Sequence, residues 1–346
     1  MTDGSVVDSG AASACPGCGA EIFAGDRFCE NCGNDLLLVT GGTPDATATV
    51  PTPRGCVACG AEIDADGFCT RCGVAQPAVR DRVELDLAGA AGVSDRGLRH
   101  HRNEDAMAIR VTADPDGSGS PEHVVAVVCD GVSTSERPDD ASKAAADAAA
   151  EVLLAATRSG ADLEAATRDA VDAALAAVVG LAGADAARNA PACTFVSAVV
   201  AGDNVTVGWV GDSRAYWLGE QPDSCCVTAD DSWAQRMISS GALTEAEAFT
   251  DPRSHALVAW LGADAGVVEP HVRTVPLTGP GVVLVCSDGL WNYLPDAEEL
   301  AAVALPKAVD APFAVAVELT ALAIDRGGHD NVTVVVVPFN PRSGDQ

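Results

Sequence analysis

Four short Val-rich runs in this chain begin or end at an aspartate, and no other feature narrows its fold so far. VVAVVC leads into Asp130, VGWVG into Asp212 and VVLVCS into Asp288, while Asp330 opens DNVTVVVV. Short apolar runs bounded by Gly, Asp or Asn read as buried strands. Between them lie two long Ala-rich stretches, residues 140–158 and 163–181, with apolar residues at helical spacing and no proline. Shorter helices are expected over 232–240 and 313–325. Strands in pairs with helices inserted predict an α+β layered domain over residues 83–339.

A carboxylate at the end of a buried strand sits where isolated charge is costly unless it is paired or bound to metal. One Asp-Gly step makes an ordinary turn. Five aspartates at the loops joining neighbouring strands, Asp105, Asp130, Asp212, Asp288 and Asp330, exceed what turns require. An all-oxygen cluster suits a hard cation such as Mg²⁺ or Mn²⁺ rather than zinc.

The 13 cysteines form two populations. Eight make four C-x-x-C pairs, Cys15/Cys18, Cys29/Cys32, Cys56/Cys59 and Cys69/Cys72, each followed by a glycine. The halves repeat one another, CPGCGAEIFAGDRFCENCG against CVACGAEIDADGFCTRCG. Two thiolates on a tight turn point at one centre, so each half is expected to hold one structural Zn²⁺ with four sulfurs. Disulfides are the competing reading, disfavoured by this spacing and by a reducing cytosol. The segment resembles a double zinc ribbon, with ribbons at 15–34 and 56–74, linkers at 35–55 and 75–82, and tails at 1–14 and 340–346. Each ribbon has few apolar residues (Ile22 and Phe28; Ile63 and Phe68), so zinc would supply most of its folding free energy. The remaining cysteines, Cys129, Cys193, Cys225, Cys226 and Cys286, are expected to be buried small hydrophobes.

Acidic residues outnumber basic ones 50 to 21, for a net charge of −29. Such a surface repels phosphate backbones and anionic headgroups, which argues against nucleic acid and membranes as partners. The ribbons do not reverse the sign, because only Arg27, Arg54 and Arg71 stand against eight acids between Cys15 and Gly73. The first fourteen residues carry no base and no apolar core of a signal peptide, and no apolar stretch is long enough to span a bilayer. A cytoplasmic protein is expected. The one local basic cluster lies at residues 96–102.

Taken in order, SDRGLRHHRNEDA, VVCDG, VGDSRAYWL, CSDGLWNYL and GGHDNVTVVV make residues 83–339 resemble the metal-dependent protein phosphatases of type 2C. The resemblance implies an α-β-β-α sandwich, two antiparallel sheets flanked by helices, with a binuclear Mn²⁺/Mg²⁺ centre at one end. By position, Asp130 matches a bridging carboxylate and Gly131 a backbone carbonyl on the second metal. Asp288 and Asp330 match the remaining ligands of the first, and Glu104 with Asp105 the acidic pair at the second. Asp212, with Asp288, matches a weaker third site. The implied reaction is hydrolysis of phosphoserine and phosphothreonine by a hydroxide bridging the cations, with Asp130, Asp288 and Asp330 as its catalytic set. The implied substrates are phosphorylated proteins, products of bacterial-type Ser/Thr kinases, and the ribbons become a recognition or regulatory arm. Oligomeric state is left open.

Two departures from the family pattern bear on substrate grip. Bacterial members usually place a phosphate-gripping arginine five residues before the aspartate of NED, where this chain has His100. Arg99, His100 and Arg102 are therefore the candidate phosphate-binding residues, since an imidazole lacks the arginine fork. The glycine-rich turn that commonly follows Asp-Gly is replaced by Val132, Ser133 and Thr134, and the histidine often proposed as the acid is missing. His255 and His329 are alternatives, neither assigned. These departures sustain a second reading, a phosphatase-like metal-binding interaction module with weak or no turnover. A third, a ribbon-led transcription adaptor, is disfavoured by the ribbons' acidity.

Overall fold

The computed structural model describes residues 79–112, 121–182, 189–220 and 224–341, with short pieces at 13–14, 21–22, 59, 61–62 and 70–72. By internal contacts the chain divides into Met1–Thr47 and Ala48–Gln346. In the first unit β1 (Ser13–Ala14) pairs antiparallel with β2 (Glu21–Ile22). Cys15, Cys18, Cys29, Cys32, Cys56 and Cys69 lie outside the described residues. Cys59 and Cys72, from different C-x-x-C pairs of the second unit, bring their sulfurs to 3.6 Å. That is far beyond a disulfide bond and near the about 3.8 Å that two thiolates on one tetrahedral zinc would show.

From Arg82 onward the chain builds two sheets. The first half supplies β3 (Arg82–Leu87), β4 (Ala90–Asp95), β5 (Asp105–Val111), β6 (His123–Asp130), α1 (Pro138–Ser159) and α2 (Leu163–Gly180). Next come β7 (Ala192–Cys193), β8 (Phe195–Ala201), β9 (Asn204–Val210), β10 (Arg214–Gly219), β11 (Cys225–Cys226), α3 (Trp233–Ser239) and α4 (Glu245–Thr250). The last part holds β12 (Leu261–Gly262), β13 (His271–Pro276), β14 (Gly281–Cys286), α5 (Asp288–Trp291), α6 (Ala297–Ala304), α7 (Pro312–Asp325) and β15 (Val332–Phe339). One sheet has the order β11-β10-β14-β15-β4-β3, the other β13-β9-β8-β6-β5, and β12 pairs with β7. Among the described residues every pairing is antiparallel.

The valine runs show little alternation because both faces of each sheet are covered. Along β6, Val124, Ala126 and Val128 point between the sheets, where they meet Trp217, Val283 and Val335. Val125, Val127 and Cys129 point the other way, into a layer with Ala145, Ala149 and Leu153 of α1 and Ala170 and Ala174 of α2. The outer face of the first sheet packs Leu284, Val334 and Val336 under Leu290, Leu300 and Leu319 of α5, α6 and α7. Four layers result, helices outside and two antiparallel sheets within. Alanine at 141, 145 and 149 lets the first half of α1 lie close to the strands, and all three are fully buried.

The long helices fall where periodicity places them, and short α4, α5 and α6 were not anticipated. Asp296 caps α6 by accepting from Glu298 and Glu299 N–H, and Thr244 with Glu247 forms a capping box on α4. Cys129, Cys193 and Cys286 are buried as expected, but Cys225 is exposed, because β11 is a two-residue strand at the sheet edge. Among the described residues no helix is long and apolar enough to cross a membrane.

Candidate active site

The aspartates meet at one end of the sandwich because antiparallel pairing brings strand ends together. Asp105, first residue of β5, stands directly opposite Asp130, last residue of β6. Like charges placed so are unfavourable without a counter-charge. Asp288 opens α5 just past β14, Asp330 lies just before β15, and Asp212 follows β9. β14 and β15 are neighbours in register, so Asp288 and Asp330 arrive at the same rim.

Each carboxylate is held differently. Asp105 is buried, and its Oδ2 accepts from Ser287 Oγ and Thr333 Oγ1, both at 2.7 Å. Its Oδ1 is buried without a partner, as is Oδ1 of Asp288. Asp288 Oδ2 accepts from Asn292 Nδ2 at 3.1 Å, and Asp330 Oδ1 from the N–H of Asn331 at 2.8 Å. The backbone of Asp130 is clamped to Thr194, whose Oγ1 accepts from Asp130 N–H at 3.1 Å and whose N–H donates to Asp130 O at 2.7 Å. Trp291 Nε1–H donates to Asp212 O at 2.8 Å. Gly131 has no room for a side chain: a Cβ would fall 2.6 Å from Pro138 O and 2.7 Å from Glu104 O.

Burial and mutual repulsion push these acids upward. Burial is the largest cause at Asp105, raised to about 7, where the Thr333 and Ser287 hydrogen bonds oppose it and the charges of Asp330 and Asp288 add to it. Asp288 rises to about 6, again through burial first and then Asp330. Asp130 keeps some surface open at the rim, yet enclosure of its carboxylate raises it well above the usual range, reinforced by Asp105, Asp288, Asp330 and Asp212. Asp212 is also raised, by burial and then by Asp288 and Asp230. Two orphaned carboxylate oxygens among mutually repelling acids are what a hard divalent cation would satisfy, so the residues present fit Mn²⁺ or Mg²⁺. Among the described residues, no three or more His, Cys, Asp or Glu side chains form a ready-made metal-holding group.

Arg99, His100, His101, Arg102 and Glu104 line an open cavity beside this rim. His100 turns towards the acids, with Nε2 3.1 Å from Asp330 Oδ1 and Nδ1 3.8 Å from Glu104 Oε2. Arg102 donates through Nε to Glu104 Oε1 at 3.0 Å, and its Nη1 is 3.5 Å from Asp139. Glu104 is buried with both oxygens engaged, Oε1 by Arg102 and Oε2 by Ser133 Oγ at 2.5 Å. Arg99 is exposed, with no ion pair among the described residues. His329 pairs with Tyr293 OH at 2.8 Å, and His255 lies against Phe249 and Trp291.

Several residues that assemble this rim were not singled out from sequence. Asn331 accepts from Glu104 N–H at 2.7 Å and donates to Arg96 O and Arg102 O at 2.8 and 3.1 Å, joining the NED segment to β15. Asn103 donates to Ser94 Oγ, and Ser142 Oγ donates to Glu104 O. Asn103, Ser287, Asn331 and Thr333 lie inside RNED, CSDG and DNVT, so adjacency to the aspartates was the available signal.

Known proteins resemble this chain in sequence and in fold. The sequence profile of the protein phosphatase 2C family matches residues 99–311, and that of the double zinc ribbon matches residues 15–73. A serine/threonine phosphatase of Listeria innocua, Stp, is 28% identical over 251 residues, spanning 71% of this chain and 94% of that protein. The crystal structure of the Mycobacterium tuberculosis serine/threonine phosphatase PstP/Ppp superposes with a TM-score of 0.56 at 26% identity, covering 72% of this chain and 98% of the other. A structure of the PstP catalytic domain in complex with two manganese ions gives a TM-score of 0.52 at 26% identity, covering 72% and 96%. Fold, order of motifs and sequence similarity agree, with the family profile covering residues 99–311: this chain belongs to the protein phosphatase 2C family.

Proposed function

We propose that this chain is a metal-dependent phosphatase acting on phosphoserine and phosphothreonine in proteins, and that Asp130, Asp288, Asp330 and Asp105 hold its two divalent cations together with the Gly131 carbonyl. The observation that carries this reading is the convergence of buried, mutually repelling carboxylates, two with unpartnered oxygens, at one end of the sandwich. Divalent cations bound there supply Lewis acidity towards phosphoryl oxygens and lower the pKa of water. The chain's own groups do the rest. Asp105 is aimed by Ser287 and Thr333, and Asp130 by its double clamp to Thr194. Arg99, His100 and Arg102 face the incoming phosphate, and Glu104 fixes Arg102 rather than standing open at the cluster. Asp212, with Asp288, forms a weaker third cation site.

The relatives named above are serine/threonine phosphatases, which supports phosphorylated proteins as the substrates. We further propose that these are products of bacterial-type Ser/Thr kinases and that the zinc ribbons are a recognition or regulatory arm. Purified full chain assayed on a phosphothreonine peptide should release phosphate only with Mn²⁺ or Mg²⁺, and Asp288→Ala should not. One observation favours the interaction-module reading: Arg102 is already engaged by Glu104 and Asp139. Release no faster than that of Asp288→Ala at saturating Mn²⁺ would decide for the module.

A further inference from the structure

The turn carrying Asp212 is gripped from outside by a carboxylate that no motif singled out. Asp231 Oδ2 accepts from Gly211 N–H at 3.0 Å, and Asp231 N–H donates back to Gly211 O at 2.9 Å. Gly211 has φ +103°, a conformation side chains rarely adopt, and a Cβ there would lie 2.9 Å from Thr194. The other oxygen of Asp231, Oδ1, sits 2.9 Å from His271 Nε2. His271 stands opposite Trp209 in the β13–β9 register and stacks on it, ring centroids 4.9 Å apart. Trp209 Nε1–H in turn donates to Ala229 O at 2.8 Å, so the strand that leads into Asp212 and the segment that carries Asp231 are tied twice.

Asp212 depends on such ties. It is buried, and among the described residues no side chain donates to its carboxylate. The direction of that carboxylate is therefore set by the backbone of its turn, held by Trp291 at Asp212 O and by Asp231 at Gly211 N. Groups that orient a ligand without touching the metal commonly govern affinity, and a weak site has the least to spare.

We propose that Asp231, steadied by His271, is a positioning residue that aims Asp212 at the weaker divalent-cation site. The proposal rests on the reading of Asp212 as a ligand there. Asp231 touches neither cation nor substrate; it determines how much of the time the Asp212 carboxylate faces inward. His271, half-exposed on β13, extends this hold to the surface.

The test is calorimetric titration of Mn²⁺ into the full, zinc-loaded chain. Wild type should show a weak binding event that Asp212→Ala removes. Asp231→Ala should weaken that event about tenfold and leave the tighter sites within about twofold. Asp231→Asn, whose Oδ1 can still accept from Gly211, should stay within about threefold of wild type, with His271→Gln between the two. In turnover, Asp231→Ala should raise the Mn²⁺ concentration giving half-maximal rate without changing KM for phosphopeptide at saturating Mn²⁺. An unchanged weak event in Asp231→Ala overturns the proposal, and so does equal weakening of every site. Absence of any Asp212-dependent event in wild type overturns the reading of Asp212, and the proposal with it. Should Asp231→Ala not fold, Asp231→Glu, which keeps the charge but displaces its oxygens, takes its place with the same outcomes.

Discussion

Without its cations this phosphatase should become less stable as pH rises from about 4 to 8, and Asp105 gives the magnitude. Its carboxyl is buried, its Oδ1 has no partner, and its proton is held to about 7 against an ordinary value of 3.8. A carboxyl with a raised folded value binds its proton more tightly when folded. Its contribution to stability is therefore full below the unfolded value and lost as pH passes the folded one. The gap between 3.8 and about 7 corresponds to about 4 kcal/mol. Asp288, held to about 6, acts in the same direction. For a domain of this size, about 4 kcal/mol is roughly 10 °C in Tm. The assay is thermal melting in a chelator that strips Mn²⁺ but spares the ribbon zinc, from pH 5.5 to 8, on wild type and Asp105→Asn. The amide keeps an acceptor for Ser287 and Thr333 and removes the charge. After allowing about 1 kcal/mol for an imperfectly paired amide, the variant should be more stable than wild type at pH 8 by about 3 kcal/mol. With saturating Mn²⁺ the order reverses, because ligation requires the ionised carboxylate. A wild-type Tm that is flat or rising over this range, with Asp105→Asn no more stable at pH 8, would refute the reasoning.

Asp130→Asn should abolish Mn²⁺-dependent phosphate release while melting no lower than wild type in chelator, since the Thr194 clamp is to its backbone and the amide removes a charge that burial and neighbouring acids disfavour. Ser133→Gly removes the 2.5 Å bond to Glu104 and loosens Arg102; steady-state kinetics on a phosphothreonine peptide should show KM rising about three- to tenfold with kcat little changed. Gly131→Ala places a methyl 2.6 Å from Pro138 O, and urea titration should show a loss of about 3 kcal/mol or more. Metal analysis should find two zincs per chain, falling to one in Cys59→Ser, since each four-thiolate site fails as a unit.

Much of the fold was legible because its signals are local. The valine runs and alanine stretches mark strands and long helices by composition and period alone, and Asp130, Asp212, Asp288 and Asp330 are marked by standing next to those runs. Helix α5 was not legible: at four residues it has no period to read, and its first residue, Asp288, passes for a turn. The exposure of Cys225 was equally hidden, since edge position belongs to the sheet and not to the strand.

Asn331 and Asp231 show where local information ends. Asn331 joins residues more than two hundred positions away in sequence, at Arg96, Arg102 and Glu104, and Asp231 reaches back to Gly211 and forward to His271. Sequence alone determined the strands, the long helices, the paired thiolates and the list of acids, because apolar period and short spacing act between near neighbours. Tertiary structure decided which acids face one another, which of their oxygens lack a partner, and that Glu104 serves Arg102 and Ser133. Those outcomes depend on the register of antiparallel strands and on burial, and both exist only once the two sheets have closed on each other.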